Sequence, residues 1–246
     1  MFKSQLSQFF SPAPTFSEAD VPAQDGKVFI VTGGSSGIGL ELCKTLYQKN
    51  GQTKESRLHV LWNNAGVSQP PAGSLSKQGI ELQLATNCLG PLLFTQFLLP
   101  LLKSTAAVAT KDASSSVRVI WTSSQMVELP APQGGIVMFE LRTPPVNVTR
   151  NYVNSKTGNL LLATETPMTK YLAWPLLHSA RLAALTELNG CYVVPWGRIA
   201  GSSGDSSTGG DLRKDLVGAT KLVEDGGTGH AAEFWGWCVE MTRESQ

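Results

Sequence analysis

The chain has 246 residues, 41% of them hydrophobic, with 24 glycines, which is enough to bury a sizeable core in one α/β domain. A formal charge of +1 gives no electrostatic reason to expect nucleic acid or an acidic membrane surface as a partner. Cys43, Cys88, Cys191, Cys238 and the histidines His59, His178 and His230 are scattered without metal-ligand spacing, so neither a metal site nor a secreted disulfide framework is expected.

Residues 1–26 are rich in serine, proline and polar side chains and read as an arm. Phe9-Phe10 lack the apolar core of about 7–15 residues that a signal peptide needs. An apolar strand, Val28 to Val31, breaks into Thr32-Gly33-Gly34-Ser35-Ser36-Gly37-Ile38-Gly39, and a helix is expected over 38–49, stopping at Asn50-Gly51. A second strand, Leu58 to Trp62, opens into Asn63-Asn64-Ala65-Gly66. A long helix is expected over 79–103; its apolar run from Leu89 to Leu102 is too short to span a bilayer and reads as buried. Residues 104–116 read as a surface connection. The third strand, Val117 to Thr122, ends in Ser123-Ser124, and 125–149 is a proline-containing loop. A helix over 150–164, helical sequence over 168–188, a strand Cys191 to Val194, a Gly/Ser-rich stretch 200–210 and helices over 211–222 and 229–243 complete the chain. That places one domain over 27–246, with 200–246 as its C-terminal helical part.

Strands alternating with helices imply a parallel sheet, and ligands of such sheets bind beyond the C-terminal strand ends. The glycine turn, Asn64-Ala65-Gly66 and Ser123-Ser124 all sit at such ends. The TGxxxGxG spacing at 32–39 differs from the GxGxxG dinucleotide fingerprint. It still aims backbone N–H groups and a positive helix end at a phosphate. An ordinary strand-to-helix turn is the alternative reading of those glycines.

Tyr152 and Lys156 are four apart and share a helix face. An ammonium beside a phenol favours the phenolate, so the expected phenol pKa lies below about 10, fit for proton exchange with an alcohol or ketone. Ser124 is placed to stabilise charge on a substrate oxygen, or is simply part of a serine-rich turn. Asn87, in mid-helix before Gly90-Pro91, either joins a proton relay or marks a kink.

Together, TGGSSGIG at 32–39, NNAG at 63–66, NCLG at 87–90, Ser123-Ser124 and YVNSK at 152–156 resemble the short-chain dehydrogenase/reductase family. The words LHVLWNNAGV, VRVIWTSS, KTGNLLLATE and VVPWGR are similar to its fungal, retinol-dehydrogenase-like branch. The resemblance implies a Rossmann-like doubly wound parallel sheet and an NAD(P)-dependent oxidoreductase interconverting an alcohol with a ketone or aldehyde, in secondary-metabolite biosynthesis. Tyr152 would be the general acid/base, Lys156 would tune it and hold the nicotinamide ribose, Ser124 would orient the carbonyl with Ser123 as substitute, and Asn87 would complete a tetrad. Gly33, Ser35, Ser36, Gly37, Ile38 and Gly39 would cradle the pyrophosphate, and Asn64, Ala65 and Gly66 would line the adenosine side. NADP is preferred over NAD on the resemblance alone. A small or medium hydrophobic carbonyl or alcohol is the expected substrate, in the cytoplasm, with Phe234, Trp235 and Trp237 either covering it or packing as an ordinary core helix. Relatives pair through the helices placed here at 79–103 and 150–164, which leaves a homo-oligomer open.

Two departures accompany the resemblance. The family places two further strands between the glycine turn and NNAG, but the interval here holds one βαβ crossover of about 30 residues. No residue can then be assigned to reading the adenosine ribose. After the Tyr152 helix the family continues to a strand and a Pro-Gly turn; here Glu165 leads into Thr166-Pro167. Four strands are therefore expected, led by Val28, Leu58, Val117 and Cys191. A shortened enzyme, a non-catalytic or degenerate relative with weak or no cofactor binding, and a mis-assembled gene all fit this pattern.

Overall fold

A computed structural model describes residues 17–51, 56–108, 117–165 and 213–243, together with three two-residue strands. The expectations for residues 1–16, for 109–116 and for most of 168–210 lie outside the described residues. The strands are β1 (Phe29–Val31), β2 (Val60–Asn63), β3 (Arg118–Thr122), β4 (Leu172–Ala173), β5 (Val193–Val194) and β6 (Arg198–Ile199). The helices are α1 (Gly37–Gln48), α2 (Leu82–Val108), α3 (Met138–Arg142), α4 (Val148–Glu165), α5 (Lys214–Ala219) and α6 (His230–Thr242).

The fold is α/β with a Rossmann-like, largely parallel sheet. Strand order follows sequence order from β1 to β6. β1 to β5 run parallel, and only β6 is antiparallel to its neighbour. β1 pairs directly with β2, Phe29 opposite Val60 and Val31 opposite Trp62, so the single crossover α1 joins neighbouring strands as the interval length requires. Where four strands were expected, the described residues hold six. β4 falls within the stretch expected to be helical, and β6 was not expected. Strands of two residues carry no alternation to read; β4 exists because β3 offers it a parallel edge at Trp121 and Thr122.

The chain forms two compact units. The first takes residues 1–64, 98–122 and 168–211. Its described core is Phe29, Leu42, Leu46, Val60, Trp62 and Ile120, with Ile38 and Val31 packed against it. Ile38, Leu42 and Leu46 recur every four residues, so α1 lays one apolar stripe on the sheet. Each such side chain withdrawn from water contributes about 1.5–3 kcal/mol. Trp62 and Phe29 rings meet at 5.6 Å between centroids. His59 is structural: Nδ1 accepts a bond of 3.0 Å from the Val28 N–H, and burial lowers its pKa.

The second unit takes residues 65–97, 123–167 and 212–246. Here α4 packs on α6, and Gly158 is the point of close approach. A Cβ there would stand 2.6 Å from Phe234 Cζ and 2.8 Å from Cys88 Sγ. Phe234 and Cys238 are fully buried and Trp237 nearly so, which is the ordinary core-helix reading of that aromatic segment. The 125–149 loop contains two short elements that sequence reading missed, a 3-10 turn at Gln125–Val127 and α3. α3 is anchored by Glu140, whose carboxylate takes two bonds from Arg150 (2.7 and 3.1 Å) and one from Asn154 Nδ2 (2.8 Å).

α2 extends to Val108, past the expected end at 103, because Ser104, Thr105 and the alanines after it sustain the helix. Among the described residues it is the one helix long and apolar enough to cross a membrane by length and composition. Within it Ala85–Leu89 forms a π-helical turn, closed by the Gly90 N–H on the Ala85 carbonyl. One extra residue in a turn rotates the rest of the helix about its axis, and such turns recur at functional sites.

Candidate active site

In the first unit the glycine turn has the conformation its residues allow. Gly33 (φ +72°) and Gly37 (φ +55°) occupy the left-handed region, which glycine enters without steric cost. Ser36 caps α1 from an extended backbone (φ −156°, ψ 167°) and makes no side-chain bond to the helix end. The first N–H groups of α1 therefore have no side-chain cap, which is the arrangement an oxyanion ligand uses. Gly39 is required by proximity: a Cβ would press on the Gly33 carbonyl oxygen and lie 2.6 Å from Asn64 Nδ2. Asn64 locks the two strand ends, donating from its backbone N–H to Thr32 Oγ1 and from Nδ2 to the Thr32 carbonyl, both at 3.0 Å.

In the second unit α4 presents Tyr152 and Lys156 on one face, as their spacing dictates. The hydroxyls of Ser124 and Ser68 face the Tyr152 phenol closely enough to act on its ionisation. Ser124, fully buried, follows β3 directly and caps the 3-10 turn, accepting from the Met126 N–H at 3.3 Å. Ser123, the substitute candidate, is engaged elsewhere: its hydroxyl donates to the Lys156 carbonyl at 2.8 Å. Lys156 is 6% exposed, with Nζ 5.9 Å from the centre of the Tyr152 ring.

That geometry corrects the expected electrostatics. The ammonium lies toward the ring rather than dominating the hydroxyl, and burial pushes the Tyr152 phenol above its ordinary value. The Ser124 and Ser68 hydroxyls pull against that shift without reversing it. The phenol therefore holds its proton more firmly than a free tyrosine does.

Asn87 holds a loop. Its Oδ1 accepts from the Val67 N–H at 2.8 Å, and its Nδ2 donates to the Val67 carbonyl at 3.0 Å and to Ser155 Oγ at 2.9 Å. Gly66 belongs to the same cluster: a Cβ there would lie 2.8 Å from Asn87 Oδ1 and 3.5 Å from Lys156 Nζ. Ala65 stands at the start of this unit. The structure therefore brings Ser124, Tyr152, Lys156, Asn87 and Gly66 together in one unit, while the glycine turn and Asn64 lie in the other. Ser68 was missed; a serine in an irregular loop carries no local signal of what it will touch. Among the described residues no group of three or more His, Cys, Asp or Glu is placed to hold a metal ion.

No protein-family model matches the chain. The short-chain dehydrogenase/reductase iacJ of Pestalotiopsis fici is 33% identical over 326 aligned positions, covering 94% of this chain and 95% of that protein. The chain belongs to the short-chain dehydrogenase/reductase family. Another such relative, pkfC of Emericella nidulans, is 38% identical over 208 positions, 64% of this chain and 65% of its own. Among solved structures, an uncharacterized protein from Mycobacterium paratuberculosis superposes with a TM-score of 0.65 at 20% identity, over 93% of this chain and 97% of its own, which establishes the shared fold. This short-chain dehydrogenase/reductase is shorter inside than its relative: the 326 positions aligned with iacJ exceed its 246 residues by 80, so at least that many positions face gaps in it.

Proposed function

We propose that the protein is an NADP-dependent carbonyl reductase acting on a small or medium hydrophobic ketone or aldehyde, in a cytoplasmic secondary-metabolite pathway. The observation that carries the reading is the Tyr152 phenol, held more firmly protonated by burial and faced by Ser124, with Lys156 Nζ beneath its ring. A neutral phenol beside a buried hydroxyl suits donation of a proton to a carbonyl oxygen. The first N–H groups of α1 and the left-handed Gly33 and Gly37 fit a pyrophosphate, and Lys156 would hold the nicotinamide ribose. A reduced dinucleotide held by these groups would supply a hydride to the carbonyl carbon. Tyr152 then supplies the proton, its O–H bond breaking as the O–H bond of the product alcohol forms.

A second reading, a non-catalytic relative, draws support from the positions this chain lacks against iacJ. One pair of measurements separates the two. Fluorescence titration of the purified chain with NADPH, and separately with NADH, reads cofactor binding and preference. A carbonyl panel then compares wild type with Tyr152→Phe. Binding, with turnover that falls at least about 100-fold in the variant, supports the reductase. No binding by a folded chain supports the second reading, and turnover untouched by Tyr152→Phe refutes the tyrosine chemistry.

A further inference from the structure

Ser68 stands apart from the family motifs. It is exposed, yet its hydroxyl acts on the phenol of the half-buried Tyr152. Its loop lies against α4 on either side of that residue: a Cβ on Gly66 would stand 3.5 Å from Lys156 Nζ, and Gln69 Nε2 donates to Thr149 Oγ1 at 3.3 Å. Both of its neighbours in the chain are clamped from α2. Asn87 grips Val67 through the amide N–H and the carbonyl at once. Gln83, fully buried and one helical turn earlier, accepts from the Gln69 N–H at 3.1 Å with Oε1. Its Nε2 donates at 2.9 Å to the carbonyl of Val148, the first residue of α4. Gln69 itself sits at φ +55°, a left-handed conformation that a non-glycine residue holds only when its surroundings impose it. The π-turn of α2 begins between Gln83 and Asn87, and the two amides grip successive parts of the loop. The same Gln83 side chain ties that loop to the helix carrying Tyr152. A loop anchored on either side of one exposed hydroxyl delivers that hydroxyl to a defined place.

We propose that Ser68 is a catalytic residue, sharing with Ser124 the stabilisation of the Tyr152 oxyanion and meeting the substrate oxygen from the open side of the phenol. When Tyr152 gives up its proton, the electron pair of the broken O–H bond stays on Oη. Two serine O–H groups then donate to that oxygen, one buried and one exposed. Ser124 is fully buried, whereas Ser68 is exposed. This assignment rests on the proposed function for its catalytic meaning.

The test reads the phenol directly. Ultraviolet difference titration of the full chain, with Tyr152→Phe subtracted to isolate one of the four tyrosines, follows ionisation at Tyr152 with no substrate or cofactor present. Ser68→Ala removes one donor to the phenolate and moves that ionisation upward by about one pH unit, the size of one charge-assisted hydrogen bond. Ser68→Thr keeps a hydroxyl and restores the wild-type midpoint. With a turned-over carbonyl, the alkaline limb of the kcat profile moves up by the same amount in Ser68→Ala. An unmoved midpoint, or an unmoved limb with only KM raised, overturns the assignment. A moved midpoint in a chain that neither binds dinucleotide nor turns over would keep the phenol contact, refute the catalytic role, and count against the reductase reading as well.

Discussion

Replacing Gly39 with alanine tests the glycine turn at its tightest point. The added Cβ would press on the Gly33 carbonyl oxygen, 2.8 Å from Gly33 C and 2.6 Å from Asn64 Nδ2, where ordinary contact begins at 3.4 Å. Two of those atoms are backbone and the third is held by its bond to Thr32, so the turn must open by about 1 Å to accept the methyl. Overpacking of this kind costs about 1–3 kcal/mol, while alanine in place of glycine inside a helix returns about 1 kcal/mol. The net loss of about 0–2 kcal/mol lowers Tm by no more than about 8 °C. Binding responds more strongly. An opened turn misaims N–H groups that each contribute about 1.5–3 kcal/mol to a charged ligand, and 1.4 kcal/mol is tenfold in affinity. Gly39→Ala is therefore expected to weaken NADPH by about 10- to 100-fold in the fluorescence titration while a thermal melt shows a chain still folded. Wild-type affinity in that variant would refute the reading of 33–39 as the phosphate cradle.

Gly158→Ala drives a methyl to 2.6 Å from a ring that is fully buried and has nowhere to go. It should cost about 0–2 kcal/mol after the helix-propensity gain and lower kcat by shifting α4, measured by melting and steady-state assay; wild-type values of both Tm and kcat would mean that α4 and α6 do not meet as described. Glu140 is held below the usual carboxylate range, first by its bonds from Arg150. A carboxylate with a depressed folded pKa stabilises above its unfolded value of about 4.5 and loses that contribution as pH falls through the folded one. Glu140→Gln should thus cost about 1 kcal/mol in urea melts at neutral pH, and the difference should shrink as pH drops below that value.

Much of the site was legible from sequence because its signals are local. The strand, turn and helix around Gly33 to Gly39 follow from an apolar run meeting glycines and then helix formers, and Tyr152 and Lys156 share a face by spacing alone. Other parts were illegible for a physical reason. β4 and β6 are too short for any period and arise from the edges beside them. The π-turn in α2 depends on a hydrogen bond from Gly90 to Ala85 that the surrounding pattern, still apolar and helical, does not announce. α3 rests on Glu140 meeting Arg150 and Asn154, ten and fourteen residues away.

The local geometry of the candidate site is therefore written in the sequence, since a backbone conformation open to glycine and a one-turn helical spacing are properties of neighbours along the chain. The state of the reacting group is not. Lysine four residues on suggests a phenol made acidic, yet burial raises the Tyr152 phenol above its ordinary value, because desolvation is set by every element around the ring. The second serine at that phenol is likewise a tertiary fact: only the grip of Gln83 and Asn87 on an irregular loop, across fourteen and twenty residues of chain, decides that Ser68 is the hydroxyl delivered there.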